Sequence, residues 1–179
     1  MQAYPLKHKV ACFGYVVSEP EKPGKLDAAK AKQLGAQPKD LGLLKAGKDV
    51  TLASGAVVKS TDVLSPPTPG KKVVMLGDTC NSDSLLEDGM GCDVVIHETT
   101  YHAELKEKAI AGGHSTSQMA GEFAARIKAK KLIITHFSQR YSTATAPDEV
   151  TVDDLVKEAK HECPDTAVLA AFDLQSFDI

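Results

Sequence analysis

An α/β layered domain is predicted for this chain by three features. After Ser65-Pro66-Pro67-Thr68-Pro69-Gly70, short apolar runs alternate with helical patterns, the grammar of strands joined by crossover helices. Aromatic residues make up 5% of the chain and Trp is absent, so the core must come mainly from Val, Leu, Ile and Ala. Three successive apolar runs end in ionisable residues, Leu76-Gly77-Asp78, Ile96-His97-Glu98 and Thr135-His136. Such residues mark the carboxyl rim of a sheet, where α/β folds place their sites.

The elements follow in chain order. His8 to Val17 (HKVACFGYVV) is a β-rich run ending at the acidic, Pro-containing SEPEKPG, so it predicts a strand entering a loop. Lys25 to Leu34 is helical, with Gly35 as its stop. Gln37 to Gly47 (QPKDLGLLKAG) has no clear period and predicts an exposed, mobile excursion. Val50–Leu52 and Ala56–Val58 flank Ala53-Ser54-Gly55 as in a short hairpin, completing an arm that adds little core. Beyond residue 70, strands are predicted at 73–76, 92–96, 132–135 and 167–171. Helices are predicted near Leu85, over Glu104–Ala111, over Ser115–Ala129 and over Thr151–His161. Met119, Phe123 and Ile127 recur at four-residue spacing in the third of these, and Ser115 with Gln118 has capping-box spacing.

Composition bounds the class. With 179 residues, 42% hydrophobic and 25% charged, the chain can fill one domain-sized core but hardly two. No apolar run approaches the roughly 20 residues of a membrane span. The N-terminus, MQAYPLKHKV, lacks the pattern of a secretory signal, which predicts a cytoplasmic or nuclear, not secreted, protein. Cys12, Cys80, Cys92 and Cys163 form no CxxC pair and read as ordinary buried thiols. Residues 1–60 carry ten Lys against five acids, whereas residues 61–179 carry eleven Lys or Arg against nineteen acids. A basic segment on an acidic chain is a footprint for a polyanion, or else a solvated surface.

Asp and neutral His suit zinc or a similar divalent ion. Taken singly, Asp78, His97 and His136 are equally compatible with turns, caps or satisfied core positions, but their recurrence after three strands points to a site. His114, in Gly112-Gly113-His114-Ser115, stands before a helix, where it is easily deprotonated and suited to proton transfer. His102 and His161 are assigned to the surface.

HKVACFGY, GDT, HETT, GHST and HFSQRY, in that order, resemble the C-terminal half of tRNase Z in its short form, from about His8 to the end of the chain. That family consists of zinc phosphodiesterases of the metallo-β-lactamase fold that remove the 3′ trailer from precursor tRNA. The resemblance implies an αββα sandwich, of which only the C-terminal half is present, with a projecting basic exosite arm. It implies a strand at 1–21 carrying a ligand His, a flexible arm at 22–65 and an α/β half-domain at 66–179. His8, Asp78 and His136 would bind metal, two Zn²⁺ ions per complete site, with Asp78 bridging them. His114 would be the proton donor and Glu98 the acid that orients it. His97, Thr79 and Arg140 would support that shell. Lys39, Lys45 and Lys48, within an arm from Lys22 to Lys59, would grip the tRNA.

The resemblance also implies a homodimer in the complete enzyme. Two departures accompany it. The family's HxHxDH motif is absent, so activity is expected to need an N-terminal half that carries it, and the arm tip lacks the usual Gly-Pro pair. The competing readings are a non-catalytic RNA-binding or dimerising remnant and another hydrolase of the same fold acting on small esters. Metal content discriminates the first, and turnover of a small ester the second.

Overall fold

The computed structural model describes residues 1–141 and 149–179. Two compact units are present, one formed by Met1–Glu19 with Lys71–Ile179 and the other by Pro20–Gly70.

The first unit is built on β1 (Gln2–Leu6), β2 (Cys12–Ser18), β5 (Lys72–Leu76), β6 (Val94–Glu98), β7 (Lys131–Thr135) and β8 (Ala167–Ala170). They form a six-stranded sheet in the order β1-β2-β5-β6-β7-β8. The first two pairings are antiparallel and the last three parallel. Parallel neighbours need crossovers, and these carry α4 (Leu86–Gly89), α5 (Lys106–Gly112), α6 (Ser117–Arg126) and α7 (Val152–Glu162).

The period-2 alternation of a strand sends successive side chains to opposite faces, and the register makes this visible. One cross-strand row runs Val16, Val74, Val95, Leu132, Val168. It packs into a core with Ala120, Phe123, Ala124 and Ile127 of α6 and Val152, Leu155 and Ala159 of α7. At Gly121 a Cβ would stand 2.4 Å from the Ala159 carbonyl, so only glycine allows α6 to approach α7 this closely. The adjacent row, Ala3, Tyr15, Met75, Ile96, Ile133, Leu169, lies on the other face. Ile133 is covered, but Tyr15, Met75 and Leu169 are 36%, 47% and 40% exposed, and Phe13 and Val17 beside them are exposed too. One face of the sheet is thus layered by helices, while much of the other is apolar and open.

The second unit contains α1 (Ala28–Gln33), α2 (Leu41–Lys45), β3 (Val50–Thr51), β4 (Val57–Val58) and α3 (Ser60–Val63). The β3–β4 hairpin turns at Gly55, in the left-handed region with φ +83°. Ala31, Ala36, Leu44, Val50, Val58 and Val63 form a core of their own.

Several expectations are corrected. Gln37 to Gly47 is not an irregular excursion, because a 3₁₀ turn at Pro38–Asp40 leads into α2 and Leu44 is wholly enclosed. The region is therefore more than an arm with little core. α3, four residues long, carries too short a pattern to show in sequence, and Pro5 obscures β1. The strand expected from His8 begins at Cys12, leaving His8 in the bend after β1. β6 starts two residues later than expected and includes His97 and Glu98. The cap of α6 is Thr116, whose side chain accepts from Met119 N–H, rather than Ser115. Cys92 and Cys163 are buried, and burial holds the Cys92 thiol up at about 11, but Cys12 and Cys80 are only half-buried. Among the described residues no helix is long and apolar enough to cross a membrane.

The enclosure of Leu44 predicts that Leu44→Ala destabilises the second unit by about 2–5 kcal/mol. Hydrogen exchange at the α2 and β3 amides checks this; unchanged protection would contradict the packing.

Candidate metal centre

The ionisable residues gather at the carboxyl ends of β5, β6 and β7. Asp78 follows β5 after Gly77, where a Cβ would fall 2.6 Å from Cys12 Sγ and 3.2 Å from the Phe13 carbonyl oxygen. The last two residues of β6, His97 and Glu98, point to opposite faces by strand alternation. His97 lies on the helix-covered side against Phe123, with ring centroids 5.7 Å apart. Its Nδ1 is 2.7 Å from the Glu98 carbonyl oxygen and its Nε2 is 2.9 Å from Ser82 Oγ. Full burial pushes its pKa down, so it is a neutral structural imidazole.

Glu98 is 1% exposed. Its Oε1 accepts from Thr79 N–H at 3.1 Å, Ser115 N–H at 3.0 Å and His114 Nδ1 at 3.0 Å. Its Oε2 accepts from Thr100 N–H at 3.0 Å and Thr100 Oγ1 at 2.7 Å. A buried carboxylate is tolerable only when so supplied with donors.

This network assigns the tautomers of three histidines. The single proton of the Thr100 hydroxyl goes to Glu98, which as a carboxylate only accepts, so that hydroxyl must accept from His136 Nδ1, 2.8 Å away. His114 Nδ1 donates to Glu98, and His8 Nδ1 donates to the Gly113 carbonyl oxygen at 2.8 Å. All three rings therefore keep an Nε2 lone pair free. Anchoring one ring nitrogen to a carbonyl, carboxylate or hydroxyl is how proteins orient a metal-ligating imidazole.

The rings are close together. His114 stacks on His136 with centroids 5.5 Å apart, and His8 meets His114 edge-on at 4.9 Å. Gly113 makes the second contact possible: it sits at φ +82°, and a Cβ there would lie 2.8 Å from His8 Nδ1. His136 itself has φ +58°, a left-handed backbone rare for a residue with a side chain, which turns the ring at the end of β7.

The donor set fits a metal. Ligand atoms of His8, Asp78 and His114 lie within 4.8 Å of one another, as do those of Glu98, His114 and His136. His136 Nε2 is 3.7 Å from Asp78 Oδ1, near the roughly 3.3 Å that separates two ligands around a tetrahedral zinc ion. Glu98 is the poorest donor, because both its oxygens are already committed to hydrogen bonds. Among the described residues, the nitrogen and oxygen donors that remain suit one zinc with an open position, but do not complete two four-coordinate ions.

Of the other predicted residues, Thr79 is buried, and its N–H and carbonyl bind Glu98 and Ser115. Arg140 stands over the rings of Tyr101 and Tyr141 at 5.5 and 6.0 Å and touches no candidate ligand. Lys39, Lys45 and Lys48 are exposed on the second unit. His102 is not a surface residue: its side chain is 14% exposed and its Nδ1 lies 2.9 Å from the Tyr141 hydroxyl. Sequence reasoning missed Thr100, the hinge of the tautomer argument. Its only signal was the second Thr of HETT, indistinguishable there from a turn residue.

Two outcomes follow from this geometry. Glu98→Gln puts amide hydrogens among five donors and should cost roughly 2–4 kcal/mol of stability, measured by urea unfolding, since a buried unsatisfied group costs about 1–3 kcal/mol and more when a charge is involved. Burial of neutral His97 means that the unfolded chain binds a proton the folded chain refuses. Stability is fully present above about pH 6.5 and falls below it by up to about 1.4 kcal/mol per pH unit. Denaturant midpoints between pH 7.5 and 5.5 check this, and His97→Gln should flatten the slope.

Comparison with known proteins agrees with the fold. No family model matches the chain. It is 49% identical over 141 residues to ribonuclease BN of Cronobacter sakazakii, covering 78% of this chain and 46% of the relative. It is 41% identical over 169 residues to ribonuclease Z of Picosynechococcus, covering 94% and 52%, and 40% identical over 174 residues to ribonuclease Z of Brevibacillus brevis, covering 97% and 54%. Among solved structures, the metallo-β-lactamase fold protein YhfI of Bacillus subtilis matches with a TM-score of 0.53 at 18% identity, over 94% of this chain and 45% of that one. Human tRNase Z, short form, matches with a TM-score of 0.52 at 24% identity, over 99% and 42%. These structural likenesses show a fold of the metallo-β-lactamase type. The chain is a homologue of the ribonuclease Z/BN family and spans about half the length of the curated relatives it matches.

Proposed function

We propose that this chain supplies the C-terminal half of a zinc-dependent endoribonuclease that removes the 3′ trailer from precursor tRNA. The observation that carries the reading is the gathering of His8, Asp78 and His114, and of Glu98, His114 and His136, at one rim, with His114 held by a buried carboxylate. His8, Asp78 and His136 would hold the metal. When bound, it supplies Lewis-acid stabilisation of charge at the scissile phosphate. His114 acts as general acid: Glu98, 3.0 Å from Nδ1, steadies the imidazolium while Nε2–H faces the departing ribose oxygen, leaving a tRNA 3′-hydroxyl. The second unit carries eight Lys against five acids, and Lys39, Lys45 and Lys48 on it would engage the tRNA backbone as an exosite.

Two observations support the need for a complementary half. The ligand set among the described residues is short of what two ions require. The apolar row through Tyr15, Met75 and Leu169 is the face on which a second layer would pack. We place there a partner half with the HxHxDH motif, in the same polypeptide or another subunit, in an enzyme that is a homodimer when complete. The ligand shortage is also the one observation that favours a non-catalytic RNA-binding remnant, and metal content separates the two readings.

Purified chain with zinc should bind a 3′-extended tRNA without robust cleavage, and should cleave once the complementary half is added. Robust cleavage by the chain alone would refute the need for that half. Charge reversal at Lys39, Lys45 and Lys48 together should weaken binding and flatten its dependence on salt, read by anisotropy at several ionic strengths. Absence of bound zinc from a chain that still binds tRNA would favour the remnant.

A further inference from the structure

The second unit holds a cavity of about 680 Å³, within the roughly 300–1,000 Å³ range of small-molecule sites. Three stretches of chain wall it: residues 23–24, the end of α2 at residues 45–47, and residues 60–67 of α3 and its exit. Hydrogen bonds and one close approach tie these walls together. At Gly24 a Cβ would stand 1.8 Å from the Ser65 carbonyl oxygen, so only glycine lets the first stretch lie against the third. Lys25 N–H donates to Ser65 Oγ at 2.9 Å, and Ser65 N–H donates to the Lys25 carbonyl oxygen at 3.0 Å. Ser60 Oγ, 3.1 Å from the Gly47 carbonyl oxygen and 3.0 Å from Asp49 Oδ1, ties α3 to the turn after α2. The cavity is thereby held in shape by the fold of its own unit.

The same bonds commit both serine hydroxyls of the lining. The polar side chains left are the Lys45 ammonium and the Thr61 hydroxyl, both exposed and neither with a hydrogen bond or ion pair among the described residues. The lining contains no Asp or Glu, so that ammonium is uncompensated within it and favours a negative ligand. The other side chains are apolar, with Pro23, Pro66 and Pro67 beside Ala46 and Leu64. Proline rings are rigid faces that lose no rotamer freedom when covered, and they bring no N–H that would need a partner. One cation cannot balance a polyphosphate, and two free polar side chains cannot satisfy a sugar. We infer that this cavity binds a small aromatic monocarboxylate, its ring against the proline wall and its carboxylate on the Lys45 ammonium. Lys45 is also among the lysines assigned above to tRNA, so an occupied cavity neutralises one of them; that consequence rests on the function proposed above, whereas the ligand class rests on the cavity itself.

The test titrates the full chain with naphthoate, its uncharged amide and acetate, and follows the methyl NMR signals of Ala46, Thr61 and Leu64. The Met75 methyl, on the open face of the sheet, is the control for unspecific apolar binding. Naphthoate should shift the three cavity signals saturably in the millimolar range and leave Met75 unmoved. The amide lacks the charge and acetate lacks the ring, and each should bind at least about threefold more weakly, the scale of an exposed ion pair. Because Lys45 is exposed, Lys45→Met should stay folded; it should weaken naphthoate by a similar factor and leave the amide unchanged, while Lys45→Arg should retain binding. Unchanged naphthoate affinity in Lys45→Met, equal binding of the amide, or shifts confined to Met75 would overturn the inference. Parallel anisotropy titrations with 3′-extended tRNA keep the two readings apart. Naphthoate binding at Leu64 in a chain that never binds tRNA would uphold the cavity and overturn the tRNA assignment, whereas tRNA binding with no naphthoate response at Leu64 would do the reverse.

Discussion

The buried carboxylate of Glu98 is the constraint on which the arrangement of the rim depends. It sits at the end of β6 and draws donors from the turn after β5, from the residues following its own strand, and from the loop before α6. Each donor is satisfied only if all these segments come to the same place, so a single desolvated charge fixes their spacing. The constraint extends one bond further. Thr100 passes it to His136, and His114 takes it directly, so the orientation of both rings is set by an acid that is itself a poor metal ligand. The histidine rings are thereby held in fixed orientations, which lowers the ordering cost of any ligand they would take.

Around that rim the sheet behaves as two surfaces with different fates. Apolar residues occur on both sides of nearly every strand, as parallel strands buried on both faces require. Helices α6 and α7 meet that requirement on one side only. The covered row consists of Val and Leu, while the open row includes larger and more adaptable side chains, Tyr15, Met75 and Leu169. A surface of this composition is suited to contact with another layer of protein rather than with water.

Much of this was legible in the sequence, for identifiable reasons. The strands after residue 70 showed because runs such as Val73–Leu76 and Leu132–Thr135 are apolar and bounded by polar residues. Asp78, Glu98, His114 and His136 showed because each stands where a strand or a loop ends. The helix α2 did not show, since Gly42 and the three-residue span from Pro38 masked a pattern in which only Leu44 is fully enclosed. β1 did not show because Pro5 sits in it and its partner is needed to make it a strand. Thr100, Gly113 and His102 were out of reach for another reason: their roles are set by contacts with His136, His8 and Tyr141, far away along the chain.

The second unit interrupts the chain between β2 and β5, yet those strands are antiparallel neighbours, with Ser18 opposite Lys72 and Glu19 N–H bound to the Lys71 carbonyl oxygen at 2.8 Å. To the sheet, then, residues 20–70 are merely a very long hairpin loop. Closure entropy rises only by about 0.6 kcal/mol per doubling of loop length, so the ladder is nearly indifferent to what is spliced there. With a core of its own, the inserted unit can change its sequence, length or surface without disturbing the register of the strands that carry Asp78 and Glu98. In evolutionary terms this junction is a port, at which one inserted unit can be exchanged for another while the residues of the rim stay in place.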